Sequence, residues 1–148
     1  MLSRQASHAL KALLELAGEP QNWRSTQQLA TAQQLPEAML EQLLLRLRRA
    51  GLLEARRGRR GGYRLALPAA AITLASVLKG LGEPAGELPA EAETAAGTSP
   101  ADRVTRTLER RLERARLQAL EGLSLEDLLF DLRSAEASAD RDAGLLLG

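Results

Sequence analysis

The sequence predicts a mainly α-helical chain with one small β-hairpin, followed by a long, solitary helix. Three observations predict it. Apolar residues recur every three or four positions through four separate stretches before residue 82. That period breaks once, between residues 52 and 67, where three glycines fall within six residues. A narrower apolar stripe then returns over residues 102–121. With 148 residues the chain suits one domain of ordinary size, or a small domain with an accessory segment.

The elements follow in order. Residues 2–17 place apolar side chains on one face, Ser3 can cap their start, and Gly18, Glu19 and Pro20 stop the helix. Ser25 or Thr26 caps a short second helix to about residue 33, with Leu29 and Ala30 inward. A tight break at Gln34 and Leu35 leads to Pro36, suited to the first turn of a third helix over 36–50. Its seam is Leu40, Leu43, Leu44 and Leu47, and Gly51 ends it. Short strands are expected at 52–56 and 63–67, joined through Gly58, Gly61 and Gly62. Thr73 caps a helix to about residue 81.

Residues 83–101 read as a flexible acidic loop: residues 83–100 carry three prolines, two glycines, four glutamates and no base. Asp102 or Ser99 starts the long helix, striped by Val104, Leu108, Leu112, Ala115 and Ala119. Such a narrow stripe on a lone helix calls for a partner to cover it. A short helix over 124–133, begun by Ser124 with Asp127, and a frayed tail over 135–148 complete the reading. The expected organisation is thus a domain over 1–82, the loop, a helical segment over 102–134 and the tail.

Composition removes many functions. Aromatics make up 2% of the chain, which argues against base-stacking platforms. The absence of cysteine excludes disulfides, thiolate metal sites and cysteine nucleophiles. The single histidine, His8, offers little for a zinc site or a catalytic triad. No paired carboxylates or nucleophile–base pair stands out, and the glycines at 58–62 lack the lysine and helix of a phosphate-binding loop, so no enzyme is expected. No run approaches the 18 apolar residues of a membrane span, and the leucines of the first 17 residues read as a helix, not a signal peptide. The cytoplasm is the expected compartment.

Charge is unevenly placed. Residues 1–80 carry 12 Lys/Arg against 5 Asp/Glu, and residues 81–148 carry 8 against 14. Eight arginines and one acid fall within 46–64. That density attracts polyanions, nucleic acid first among them, although an arginine-rich solvated face is the bland alternative.

Helix, helix, tight turn, helix and glycine-tipped hairpin together read as a winged helix-turn-helix. In that arrangement helix 36–50 meets the major groove of double-stranded DNA through Pro36, Glu37, Ala38, Glu41, Gln42 and Arg46. Gln42 can pair with adenine, and Glu41 can accept from a cytosine amino group; an ordinary solvated face is the alternative for both. Arg57, Arg59 and Arg60 on the hairpin tip can reach phosphate or a narrow minor groove. Ser25 and Thr26 can donate to a phosphate at a helix N-terminus, or serve as caps alone. A protein-interaction module that has lost specific DNA binding is the alternative reading of the whole.

Leu35 and Pro36, then Leu40, Glu41, Gln42, Leu44, Leu47, Ala50, Gly51 and Leu52, are followed by Arg57, Gly58, Gly61, Gly62, Tyr63, Leu65 and Ala66, and by Ile72, Thr73 and Leu74. In this spacing they closely resemble the Rrf-2 type of bacterial transcription regulators. The resemblance is close over residues 1–82 and looser over the long helix and the segment beginning at Ser124. It implies a homodimer with one winged helix per half-site of a pseudo-palindromic operator, and a repressor is expected. It makes the long helix the dimerisation helix. It places Pro36, Ala38, Glu41 and Gln42 on the recognition helix, Arg57 as the wing arginine, and Gly58, Gly61 and Gly62 in the wing turn. Many members hold an iron–sulfur cluster through three cysteines before the dimerisation helix; this chain has none there, so no cofactor is expected. Regulation by an unidentified small molecule or partner protein is expected instead. Truncation after Gly82 is expected to give a monomer.

Overall fold

The computed structural model describes residues 2–85 and 99–147. The elements run α1 (Arg4–Gly18), α2 (Thr26–Gln33), α3 (Glu37–Arg49), β1 (Leu53–Arg56), β2 (Gly62–Leu65), a 3₁₀ turn (Ala69–Ala71), α4 (Leu74–Gly80), α5 (Pro100–Gly122) and α6 (Leu125–Leu147). Most of the stretch read from the sequence as an acidic loop, with Glu87, Glu91 and Glu93, lies outside the described residues.

Local chemistry sets the helix ends. The Ser3 hydroxyl accepts from the Ala6 N–H at 3.0 Å and starts α1. Ser25 caps α2 in a reciprocal box, accepting from the Gln28 N–H while the Gln28 side chain accepts from the Ser25 N–H. Between α2 and α3, Gln34 takes a left-handed conformation at φ 54°. The Leu35 N–H then reaches the Ala30 carbonyl at 2.9 Å, which closes the turn in three residues. Pro36 follows as the N-cap of α3.

The core gathers the seam expected of α3: Leu40, Leu43, Leu44 and Leu47 are all buried. They pack with Leu13 and Leu16 of α1, Leu29 of α2, Ile72 and Val77. Leu120, Leu125 and Leu129 from the far end of the chain join the same cluster. A short antiparallel bridge between Thr73 and Ser124 fastens that far end: the Leu74 N–H donates to the Leu123 carbonyl and the Leu125 N–H to the Ile72 carbonyl. The first turns of α6 therefore lie on α1 as part of the N-terminal core.

Two features depart from the sequence reading. α6 continues to Leu147, beyond the short helix and tail expected. Residues 133–144 are exposed along it, so no apolar stripe advertised that stretch, while the absence of proline lets the backbone hydrogen bonds run on. Removal of everything after Gly82 also strips Leu120, Leu125 and Leu129 from the core, so that cut does not isolate the role of α5. By contrast, α5 buries only Leu120, and Val104, Leu108 and Leu112 are 68%, 52% and 59% exposed.

Leu125→Ala is expected to lower unfolding stability by about 2–5 kcal/mol, the cost of a cavity at a fully buried leucine. Denaturant unfolding measures it. A loss below about 1 kcal/mol would mean that α6 is not part of the core.

Candidate nucleic-acid interface

The exposed face of α3 carries Glu37, Ala38, Glu41, Gln42 and Arg46, with Pro36 exposed at its head. Beside it stands the hairpin. β1 and β2 pair antiparallel, Leu53 with Leu65 and Arg56 with Gly62, and Glu54 forms a cross-strand ion pair with Arg64. Arg24, just before α2, adds a one-residue third strand: its N–H donates to the Tyr63 carbonyl at 2.9 Å and its carbonyl accepts from the Tyr63 N–H at 2.8 Å.

That close approach explains the glycines. A Cβ on Gly62, which sits at φ 138°, would stand 2.3 Å from the Arg24 carbonyl oxygen. A Cβ on Gly61 would stand 2.0 Å from the Arg56 carbonyl oxygen. Gly58 supplies the positive φ of the tip. The tip then holds Arg57, Arg59 and Arg60 in solvent, none with a carboxylate partner among the described residues.

Glu41 joins these elements. Its carboxylate accepts a short hydrogen bond from the Thr26 hydroxyl on α2 and one of 3.0 Å from the Tyr63 hydroxyl on β2. Hydrogen bonds to a charged acceptor contribute about 1.5–3 kcal/mol each. Thr26 is buried, and its hydroxyl points to Glu41 instead of outward, because the reciprocal box leaves capping of α2 to Ser25 alone. Ser25 is half-buried beside it. The sequence offers Glu41 as a base reader or as part of a solvated face; its bond to Tyr63 spans 22 residues and leaves no local pattern.

Trp23 also went unread. Arg64 lies over its ring at 4.2 Å from the centroid and Arg56 at 5.8 Å. Two cations on one indole brace the base of the hairpin. The only sequence signal was a lone tryptophan ahead of an arginine-rich hairpin. His8 lies half-buried on α1, with its Nδ1 buried and lacking a hydrogen-bond partner.

Burial pushes the Tyr63 phenol above its usual range, the hydrogen bond to Glu41 and that carboxylate's charge push the same way, and Arg48 opposes them. The phenol thus holds its proton in the folded chain where the unfolded chain has begun to lose it. Its contribution is whole below about pH 10 and is lost as pH rises through the folded value. Tyr63→Phe is expected to lower stability by about 1 kcal/mol at neutral pH. It should also flatten the alkaline decline, since the chain has one tyrosine. Unfolding midpoints at about pH 8 and about pH 10.5 measure both effects, and an equal decline in the two chains would show that folding does not hold the proton on the Tyr63 phenol.

Among the described residues no helix is long and apolar enough to cross a membrane. A family described as "Rrf2: Iron-dependent Transcriptional regulator" matches residues 2–131. A Synechocystis sp. protein, slr0846, named as an HTH-type transcriptional regulator, is 36% identical over 138 residues, covering 93% of this chain and 92% of that protein. The structure of CymR (YrzC), the global cysteine regulator of B. subtilis, superposes with a TM-score of 0.73 at 32% identity, covering 87% of this chain and 95% of that one. T. potens IscR gives a TM-score of 0.67 at 26% identity, covering 91% and 90%. The Synechocystis protein and CymR are both named as regulators. A thiolate-held iron–sulfur cluster does not fit the donor set: the chain has no cysteine and one histidine. Among the described residues no group of three His, Asp or Glu side chains could hold a metal ion. The hairpin beside α3 is the wing of a winged helix-turn-helix, and the chain belongs to the Rrf2 family of transcriptional regulators.

Proposed function

We propose that the chain is a homodimeric, sequence-specific DNA-binding repressor of the cytoplasm that works without an iron–sulfur cluster. Each protomer reads one half of a pseudo-palindromic operator. Glu37, Ala38 and Gln42 of α3 face base edges, Arg46 and Ser25 face phosphates, and Arg57, Arg59 and Arg60 of the wing reach the backbone or minor groove. Pro36 sets the entry angle of α3, and Gly58, Gly61 and Gly62 shape the wing turn. Thr26 supports the interface from within. Glu41 keeps unused lone pairs beside its two internal bonds, so it can brace the site and still accept from a cytosine amino group.

The observation that carries this reading is the junction at Glu41. One side chain ties the start of α2, the first turns of α3 and the base of the wing, so the proposed reading face and the arginine tip are held in a fixed relation. Dimerisation through α5 draws its support from the exposed stripe of Val104, Leu108 and Leu112, continued by Ala115 and Ala119. An apolar stripe of this length is unusual on a monomer's surface.

The test is selection of bound sequences from a random duplex pool, using purified, metal-free protein at near-physiological salt. A recovered palindrome is the expected result. Weak, sequence-blind retention that vanishes as salt rises would favour an interaction module instead. On the selected operator, Arg57→Ala should weaken binding across sequences and reduce the salt slope by about one. An unchanged slope would remove the wing from the interface. Leu108→Glu with Leu112→Glu should yield a folded monomer in sedimentation, since two buried, unpaired carboxylates on each side oppose association; a persisting dimer would move the interface elsewhere.

A further inference from the structure

The C-terminal ends of α3 and α4 meet over an open cleft of about 510 Å³. Arg46 and Arg49 line it from α3, and Ser76 and Lys79 from α4. The floor is tight: a Cβ on Gly80 would stand 3.0 Å from the Ala50 Cβ. Among the described residues no carboxylate lines this cleft, and none of its three cations has a salt-bridge or hydrogen-bond partner.

Basic residues at helix C-termini commonly serve the exposed carbonyls there. Here the chain has already satisfied those carbonyls. The Arg46, Leu47 and Arg48 carbonyls accept from the Ala50, Leu52 and Gly51 N–H groups, each at 3.0 Å. The Val77, Leu78 and Lys79 carbonyls accept from the Leu81, Glu83 and Gly82 N–H groups. The three cationic heads are therefore left for an anion from outside.

A second cleft, also about 510 Å³, adjoins the first along Ser76 and Lys79. It runs between α4 and α5, with Ala75, Ala85 and Leu117 as apolar wall and Glu83 and Glu121 as acceptors. The Glu83 carboxylate takes a hydrogen bond from the Ser3 hydroxyl, whereas Glu121 has no partner among the described residues. The geometry points to a binding site for a small phosphate ester with a hydroxylated body, of sugar-phosphate chemistry. The phosphate sits between Arg49 and Lys79, where a dianion matches two cations and arginine offers its paired donors, while Arg46 at the rim is left to the operator backbone. The body lies past Ser76 in the second cleft, with its hydroxyls toward Glu83 and Glu121.

A free ligand, not operator phosphate, fits the position. The cleft opens at the C-terminal end of α3, where Arg49 stands about 10 Å along the helix from Gln42, the last of the proposed base-reading residues. The second cleft touches α5, so an occupant bridges the winged half and the proposed dimerisation helix. That regulatory consequence rests on the proposed function; the binding itself does not.

Amide NMR of the full chain tests the site with ribose 5-phosphate, inorganic phosphate and ribose as probes. Saturable shifts at Ser76, Lys79 and Gly80 are expected with ribose 5-phosphate, weaker ones with inorganic phosphate, and none with ribose. Arg49→Gln with Lys79→Gln should weaken ribose 5-phosphate binding at least tenfold. Both side chains are exposed, and an unchanged thermal midpoint verifies the fold. No saturable shift in the parent chain, or shifts unaltered in the double variant, would overturn the proposal. So would a double variant that lowers the salt slope of operator binding while the parent ignores ribose 5-phosphate, since the cations would then belong to DNA. Failure to select any operator sinks the DNA-binding reading and leaves this titration intact.

Discussion

The winged half of this chain depends on how one carboxylate is shared. Glu41 lies on α3, yet both hydrogen bonds it receives come from other elements, Thr26 of α2 and Tyr63 of β2. The Tyr63 ring is buried while its hydroxyl reaches the acid, so the same residue seats the wing in the core and ties it to α3. Apolar packing alone is tolerant of small rotations between elements; two bonds converging on one acid are not, because their strength falls steeply with misalignment. The relation between wing and helix is thereby fixed by polar geometry, on a scaffold of leucines that supplies cohesion.

Around that junction the structure divides stiffness from freedom. The base of the wing is held by the cross-strand pair of Glu54 and Arg64, the backbone bridge to Arg24, and the two cations on Trp23. The tip carries three arginines that lack such restraint. A long cation loses rotamer freedom on meeting a phosphate, so a preset backbone confines that cost to the side chains.

Sequence reading recovered whatever is local. The Ser3, Ser25 and Thr73 caps stand where the spacing put them, and Ser99 with Asp102 begins α5 as a reciprocal box. The α3 seam and the glycine-tipped hairpin are equally local, since periodicity and positive φ leave marks within a few residues. Glu41 with Tyr63, Trp23 with Arg64, and Leu125 beneath α1 were not legible. Each joins residues whose proximity follows only once the fold exists. The C-terminal stretch of α6 failed for another reason: helices are read by their apolar faces, and residues 133–144 have none to show. The positions that would touch DNA fall between these cases. Their exposure is visible in the structure, while their roles rest on resemblance and chemistry.

The bridge between Thr73 and Ser124, with α6 lying against α1, sets an order of events during synthesis. The chain's first helix leaves the ribosome long before its partner at the other end has been translated. Until Leu125 and Leu129 arrive, the apolar face of α1 lacks part of its cover and remains open to chaperones or to other nascent chains. The segment that reads as a complete small domain by itself thus has an incomplete core until α6 is made, and contacts of such long sequence separation slow folding. Premature termination anywhere in α5 would therefore produce a sticky winged helix in place of a simple monomer.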